Sequence, residues 1–163
     1  MRNPFPDDLR RRAKHIFGIL IFLGACAQLD AVDDVYDERA DAPKDIATAV
    51  KDASRAGKRV VLVFGANWCK DCRALDAQMH KGELAALLEK SFVIVKIDVG
   101  RMDKNVDIAK KYGVPVDNGI PALAVLDTGG RLLHAQDQGQ FASARSMSYE
   151  SIRAFFEQWK PKG

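Results

Sequence analysis

The apolar positions of this chain follow two different periods that alternate along its length. Residues 60–64 form a short, fully apolar run, typical of a strand buried on both faces, and residues 92–97 form a second, nearly continuous run. Residues 121–126 and 131–135 are two further strand-like runs, and Thr128-Gly129-Gly130 between them indicates a hairpin. The pattern therefore predicts four strands.

Stretches with helical spacing lie between these runs. Asp41 and Ser148 are suited to cap the first and last predicted helices, because a short polar side chain can accept a hydrogen bond from the first turn. Another helix follows Cys69, with an interruption at Gly82, and a further one ends at Gly113. The order helix, strand, helix, strand, helix, strand, strand, helix predicts an α/β fold with helices on both faces of a central mixed sheet.

The net charge of the chain is concentrated at its N-terminus. The formal charge is +3 over 163 residues, and the first 25 residues account for it because their arginines and lysine outnumber their aspartates. The remainder is balanced, which argues against a basic face that binds nucleic acid. The length suits one domain with a sizeable core.

Residues 1–25 have the pattern of a secretory signal peptide. Arg10-Arg11-Arg12 precede the apolar run 16–23, which is shorter than the roughly 20 residues that a membrane-spanning helix needs. The segment Leu23-Gly24-Ala25-Cys26 resembles the lipobox of bacterial lipoproteins, so we expect Cys26 to become the lipidated first residue. Cleavage after Ala27 is one alternative, and a buried N-terminal helix of the domain is another.

The remaining chain divides into a linker and a domain. Residues 26–42 are predicted to form an acidic tether, because acidic side chains dominate there and large apolar residues are few. Residues 43–163 are predicted to form the folded domain. With a lipoprotein-type signal, the protein would be exported to the periplasm and would meet the membrane through its lipid anchor only.

Cys69-Lys70-Asp71-Cys72 is the segment that indicates redox chemistry. Two thiols separated by two residues can close a disulfide and pass two electrons to another protein through a mixed disulfide. Either cleavage route removes Cys26 as a free thiol, so these two would be the only thiols of the mature protein. A permanent disulfide is the structural alternative. Zinc would need a second ligand pair, which the spacing of His80 and His134 does not provide, so no metal is predicted.

Four segments of the chain resemble the thioredoxin family, and they occur in the family's order. They are V-F-G-A-N-W-C-K-D-C at 63–72, K-I-D at 96–98, Y-G at 112–113 and G-I-P-A at 119–122. With the elements between them, the resemblance covers residues 43–160 and implies a thioredoxin fold. Within the family, the chain is similar to bacterial exported disulfide isomerases and thiol:disulfide interchange proteins.

The resemblance implies roles for the residues around the motif. Cys69 would be the attacking nucleophile, since a cysteine at a helix N-terminus is favoured as a thiolate. Cys72 would be the shielded thiol that resolves the mixed disulfide. Trp68 would form a substrate platform, with ordinary packing of the indole as the alternative. Ile120-Pro121 would place a cis peptide bond against the disulfide and leave backbone groups open to an extended substrate.

Two further residues and two departures bear on the chemistry. Lys70 and Asp71 are expected to tune the redox potential, with opposite effects on the thiolate. Many thioredoxins carry a buried aspartate six positions before the first cysteine, where this chain has Val63. The proton acceptor for Cys72 is therefore open between Asp71 and water. Residues 114–118 lengthen the loop beside the expected substrate groove.

We therefore expect an exported thiol:disulfide oxidoreductase that acts on protein thiols and disulfides without a cofactor. An upstream redox protein would supply or accept the electrons. The Lys-Asp insert matches neither the Gly-Pro of common thioredoxins nor the Gly-His of typical isomerases, and we expect a reductase or an isomerase. A dithiol oxidase and a non-catalytic binding or assembly module with this fold are the alternatives.

Overall fold

A four-stranded mixed sheet forms the centre of the fold in the computed structural model, which describes residues 34–162. The strands are β1 (Arg59–Gly65), β2 (Phe92–Asp98), β3 (Ala122–Leu126) and β4 (Leu132–Ala135), in the spatial order β2-β1-β3-β4. Strands β1 and β2 run parallel, whereas β3 is antiparallel to both β1 and β4. The predicted mixed sheet is confirmed.

Five α-helices accompany this sheet in the described part of the chain. They are α1 (Ala42–Ala56), α2 (Lys70–Met79), α3 (Gly82–Ser91), α4 (Val106–Lys111) and α5 (Tyr149–Trp159), and residues Val116–Asn118 and Ala144–Ser146 form single 3-10 turns. The Asp41 carboxylate accepts a hydrogen bond from the Lys44 amide at the start of α1. The Ser148 hydroxyl accepts one from the Ser151 amide at the start of α5. Both predicted caps are therefore present.

The helices cover both faces of the sheet, because side chains of β1 alternate between two apolar layers. Leu62 and Phe64 belong to the layer that contains the buried residues of α1 and α4. Val61 and Val63 belong to the layer that contains those of α3 and α5. Residues 60–64 are all 3% exposed or less. The prediction of a strand buried on both faces is confirmed.

The helical region after Cys69 is divided into α2 and α3 at the expected place. Gly82, with a left-handed φ of 46°, begins α3. The Tyr149 hydroxyl donates a hydrogen bond to the Lys81 carbonyl and accepts one from the Leu84 amide. A side chain of α5 thus satisfies the Leu84 amide, one of the first N–H groups of α3, which have no partner within the helix.

The folded domain begins earlier than the sequence predicted. Tyr36 is 1% exposed and Ala42 is 4% exposed, and both belong to the same core layer. The Tyr36 amide donates to the Asn67 side chain, whose own amide group donates to the Tyr36 carbonyl, both at 2.9 Å. The prediction of a tether up to residue 42 is therefore wrong for residues 35–42, since this segment docks on the loop before Cys69.

Some of the predictions lie outside the described residues. The signal peptide at 1–25, the lipidated Cys26 and residues 26–33 of the tether stay predictions. Among residues 34–162, no helix combines the length and the apolar character that crossing a membrane requires.

Candidate active site

The two cysteines lie where β1 leads into α2. Cys69 is the N-cap residue of α2 and Cys72 lies in its first turn. They form a disulfide, with their Cα atoms 5.3 Å apart. The Cys72 amide donates a hydrogen bond to Cys69 Sγ at 3.1 Å. A thiolate on Cys69 would therefore be stabilised by a backbone N–H and by the helix dipole.

The Ile120-Pro121 loop packs against this disulfide. The peptide bond between the two residues is cis, and the Ile120 carbonyl oxygen lies 3.5 Å from Cys69 Sγ. Because the oxidised sulfur carries no proton, this approach is a contact and not a hydrogen bond. Cys69 is 5% exposed and Cys72 is 1% exposed. The second sulfur is thus the more enclosed of the two, which is the arrangement expected of a resolving thiol.

Trp68 forms an exposed surface directly before the disulfide. Its side chain is half exposed, and its indole N–H donates a hydrogen bond to the Gly100 carbonyl at 2.7 Å. The Arg101 guanidinium lies 5.9 Å from the ring centroid, within the range of a cation–π interaction. These contacts fix the indole beside Cys69, and its service as a substrate platform stays a prediction.

The two residues between the cysteines have different surroundings. Lys70 is exposed. The Asp71 carboxylate is held by Arg145, whose amide donates to one oxygen at 3.0 Å and whose guanidinium lies 3.1 Å from the other. The side-chain hydrogen bond from Arg145, followed by its amide, lowers the pKa of Asp71. Sequence reasoning missed Arg145, which lies 74 positions from Asp71 in a polar segment without a periodic pattern.

Tyr36 reaches the same region from the segment before α1. A Cβ placed on Gly65 would collide with the Tyr36 hydroxyl and would lie 3.0 Å from Cys72 Sγ. The hydroxyl and the sulfur therefore adjoin one common point at the end of β1. Burial raises the pKa of Tyr36, and the charges of Asp76 and Asp98 raise it further. The phenol is accordingly protonated at neutral pH.

Two carboxylates, Asp76 in α2 and Asp98 at the end of β2, are paired with lysines. Asp76 of α2 contacts the ammonium of Lys96, which is the β2 neighbour of Val63 in the sheet. Asp98 lies 3.4 Å from the Lys104 ammonium. Many thioredoxins have a buried aspartate at the position of Val63. In this chain the strand neighbour of Val63 is Lys96, which forms an ion pair with Asp76 of α2.

His80 and His134, which the sequence analysis considered as metal ligands, both contact other groups of the fold. His134 of β4 stacks on Trp159, with ring centroids 4.6 Å apart. Partial burial lowers the pKa of His134, and Asp137 opposes this effect. The His80 ring approaches the Asp76 carbonyl at 2.8 Å, at the end of α2. In the described residues, histidine, cysteine and acidic side chains form no group of three or more suited to a metal ion.

The lengthened loop at 114–118 borders an open pocket of about 420 Å³. Val114, Pro115 and Val116 are among the residues that line it. The Asn118 side chain donates to the Asp137 carbonyl at 2.7 Å and so ties the loop to the segment after β4. The pocket lies on the part of the chain that leads into the cis-proline loop.

A family model and two of the solved structures match most of this domain. Residues 41–128 match a family described as Thioredoxin-like. The crystal structure of disulphide isomerase from Xylella fastidiosa Temecula1 is 42% identical, covers 78% of this chain and 98% of that chain, and superposes with a TM-score of 0.75. The reduced C-terminal domain of DsbD from Neisseria meningitidis is 22% identical over 72% of this chain and 96% of that chain, with a TM-score of 0.52, and shares the fold.

A more distant relative matches a shorter segment. The chloroplastic thioredoxin-like protein HCF164 of Oryza sativa subsp. japonica is 33% identical over 84 residues, which are 52% of this chain and 30% of that protein. The match thus spans less than a third of that relative's own length. The family model spans more than half of this chain, and its match contains both cysteines. The chain therefore belongs to the thioredoxin-like family.

Proposed function

We propose that this protein is an exported thiol:disulfide oxidoreductase that reduces or isomerises disulfides of other proteins. The observation that carries the proposal is the Cys69–Cys72 disulfide at the N-terminus of α2, packed against the Ile120-Pro121 loop. The 42% identity to a solved protein described as a disulphide isomerase supports this class of reaction.

The proposed reduction proceeds in two exchanges. The Cys69 thiolate attacks a substrate disulfide, forms a mixed disulfide and expels one substrate sulfur as a thiolate. Cys72 then attacks Cys69 Sγ, closes the Cys69–Cys72 disulfide and releases the second substrate sulfur. The substrate gains two electrons and two protons, and the cysteine pair loses them. An upstream dithiol protein would return the pair to its reduced state, and no cofactor takes part.

Isomerisation uses the first of these exchanges alone. A second thiol of the substrate attacks the mixed disulfide, a new substrate disulfide forms, and Cys69 is released as a thiolate without net transfer of electrons. Half-exposed Trp68 and the backbone at Ile120 offer a surface on which an extended segment could lie, next to the sulfur that it would attack.

The test compares two single-cysteine variants with the wild type in the reduction of a protein disulfide. Cys72→Ala should form mixed disulfides and accumulate them, because Cys69 is intact and nothing resolves the product. Cys69→Ser is the matched control and should form none. If Cys69→Ser kept the activity of the wild type in cells, the protein would act as a binding or assembly module without redox turnover.

The direction of electron flow is tested by the equilibrium of the cysteine pair with glutathione. We expect a potential near those of reductases and isomerases, between about −270 and −180 mV. A potential near about −120 mV, at the strongly oxidising end of the range, would contradict this direction and indicate a dithiol oxidase.

We propose a periplasmic location with a lipid anchor on Cys26, on the basis of the leader pattern at residues 1–25. Mass spectrometry of the mature N-terminus distinguishes the two predicted products. A diacylglyceryl group on Cys26 supports the anchor, whereas a chain that begins at Gln28 would indicate cleavage after Ala27 and a protein without this anchor.

A further inference from the structure

In the resolving step Cys72 must react as a thiolate. This residue is 1% exposed, and burial in apolar surroundings disfavours the thiolate that must attack Cys69. Val63, at the position of the carboxylate in many thioredoxins, can neither accept a proton nor donate a hydrogen bond. Another group must therefore favour the thiolate in this chain.

The carboxylates near the site are already engaged. Each forms an ion pair with a cation, and the pairs are Asp71 with Arg145, Asp76 with Lys96, and Asp98 with Lys104. For Asp71, the hydrogen bonds from Arg145 also lower the pKa, which makes this carboxylate a weak proton acceptor. Within residues 34–162, the hydroxyl of Tyr36 is another polar group close to Cys72.

The fold places this hydroxyl and the sulfur against the same glycine. The hydroxyl and Cys72 Sγ both adjoin Gly65, which has no side chain to separate them. Paired hydrogen bonds between the Tyr36 backbone and the Asn67 side chain anchor the tyrosine to the loop that precedes Cys69. These bonds involve the backbone of Tyr36 and not its hydroxyl.

The charges that face the hydroxyl decide whether it donates or accepts. Asp76 faces it from α2 and Asp98 faces it from β2, and both raise the pKa of Tyr36 beyond the effect of burial. Lys96 and Lys104 partly offset these carboxylates through their ion pairs. A phenol that stays protonated is a hydrogen-bond donor, and a neighbouring thiolate is an acceptor.

We infer that the Tyr36 hydroxyl donates a hydrogen bond to the Cys72 thiolate and thereby promotes the resolving step. The inference rests on the proposed exchange reaction. In that step the Cys72–Cys69 bond forms, the bond between Cys69 and the substrate sulfur breaks, and the departing sulfur takes the electron pair. The proton of Cys72 passes through water to the departing thiolate. Tyr36 keeps its own proton throughout.

The test separates the two exchanges in single-turnover experiments with glutathione disulfide. Reduced wild type, Tyr36→Phe and Tyr149→Phe are mixed with the probe and quenched at intervals, and mass spectrometry counts the glutathione-bound protein. Tyr36→Phe keeps the buried ring and removes only the hydroxyl. Tyr149→Phe is the matched control, since it loses a hydroxyl that is hydrogen-bonded at Lys81 and Leu84. Thermal unfolding shows that each variant is folded.

We expect Tyr36→Phe to form the mixed disulfide at the rate of the wild type and to resolve it about tenfold more slowly at pH 7, because a hydrogen bond to a charged group is lost. The pH profile of the resolving step should move to higher pH in Tyr36→Phe and stay unchanged in Tyr149→Phe. An unchanged resolution rate and pH profile in Tyr36→Phe would overturn the inference. Failure of Cys72→Ala to form any mixed disulfide with the same probe would instead overturn the proposed function.

Discussion

Arg145 holds the carboxylate of Asp71, inside the C-x-x-C motif, at both of its oxygens. These hydrogen bonds lower the pKa of Asp71, so the group stays ionised and its charge is compensated by the guanidinium. The sequence alone left the balance between Lys70 and Asp71 open. With Asp71 paired, the exposed Lys70 ammonium is the uncompensated charge between the cysteines, and it favours a thiolate at Cys69.

Arg145→Gln is therefore expected to slow the alkylation of Cys69 by iodoacetamide about two- to threefold at neutral pH, since the Asp71 charge would then oppose the thiolate. The effect is modest because the Arg145 side chain is 57% exposed and water screens its charge. The measurement uses the reduced Cys72→Ala background, with mass spectrometry of the peptide that contains Cys69.

The double variant of Arg145→Gln with Asp71→Asn is the control for this prediction. It should restore most of the rate, because it removes the charge that the arginine compensated. High salt should also narrow the difference between Arg145→Gln and the wild type. If Arg145→Gln in the Cys72→Ala background reacted at low salt as fast as Cys72→Ala alone, the charge of Asp71 would not act on Cys69.

The sequence predicted the parts of this fold that depend on local pattern. The buried strand at 60–64, the caps at Asp41 and Ser148 and the helix that begins after Cys69 all follow from residue type and spacing over a few positions. The same local order, apolar strand followed by C-x-x-C, located the disulfide. These features need no knowledge of distant contacts.

The supporting residues of the site were missed because their roles arise only in the folded chain. Tyr36 lies in an acidic segment that resembles a solvated linker, and its burial follows from docking on Asn67, 31 positions away. Arg145 is an exposed arginine in a polar loop. Lys96 interrupts an apolar strand, and only the packing of α2 on the sheet shows that Asp76 is its partner.

Lys96→Met should destabilise the protein by about 1–3 kcal/mol at neutral pH, because it leaves the partly buried Asp76 carboxylate without its cation. The Asp76 side chain is 19% exposed and one of its oxygens is buried. Water still screens part of its charge, which limits the size of the effect. Urea unfolding measures the change. Adding Asp76→Asn should recover part of the loss, and a double variant less stable than Lys96→Met would contradict the pairing.

His134→Phe should make the protein less sensitive to acid between pH 7 and pH 5. Burial against Trp159 lowers the pKa of His134, so the unfolded chain binds this proton more readily than the folded one. The contribution of His134 to the free energy of unfolding is fully present above the pKa of about 6.5 that it has in the unfolded chain. This contribution is lost as the pH falls through the lower pKa of the folded protein. Thermal unfolding across this range tests the prediction, which an equal loss of stability in both proteins would refute.

Gly65→Ala is expected to destabilise the protein by about 1–3 kcal/mol, because the added methyl group would overpack the contact between the Tyr36 ring and the end of β1. Gly129→Ala is the matched control. A Cβ there would lie 3.5 Å from Asp127, which is an ordinary contact, so its stability should change little.

Combining Gly65→Ala with Tyr36→Phe should recover part of the loss, since the hydroxyl oxygen is one of the two Tyr36 atoms that the new methyl group would meet. Coupling of this kind is expected only between residues in direct contact. Denaturant unfolding of the four proteins in the cycle gives the interaction free energy. Strictly additive effects would mean that the hydroxyl does not lie against Gly65, and the hydroxyl would then not adjoin Cys72 Sγ through this glycine.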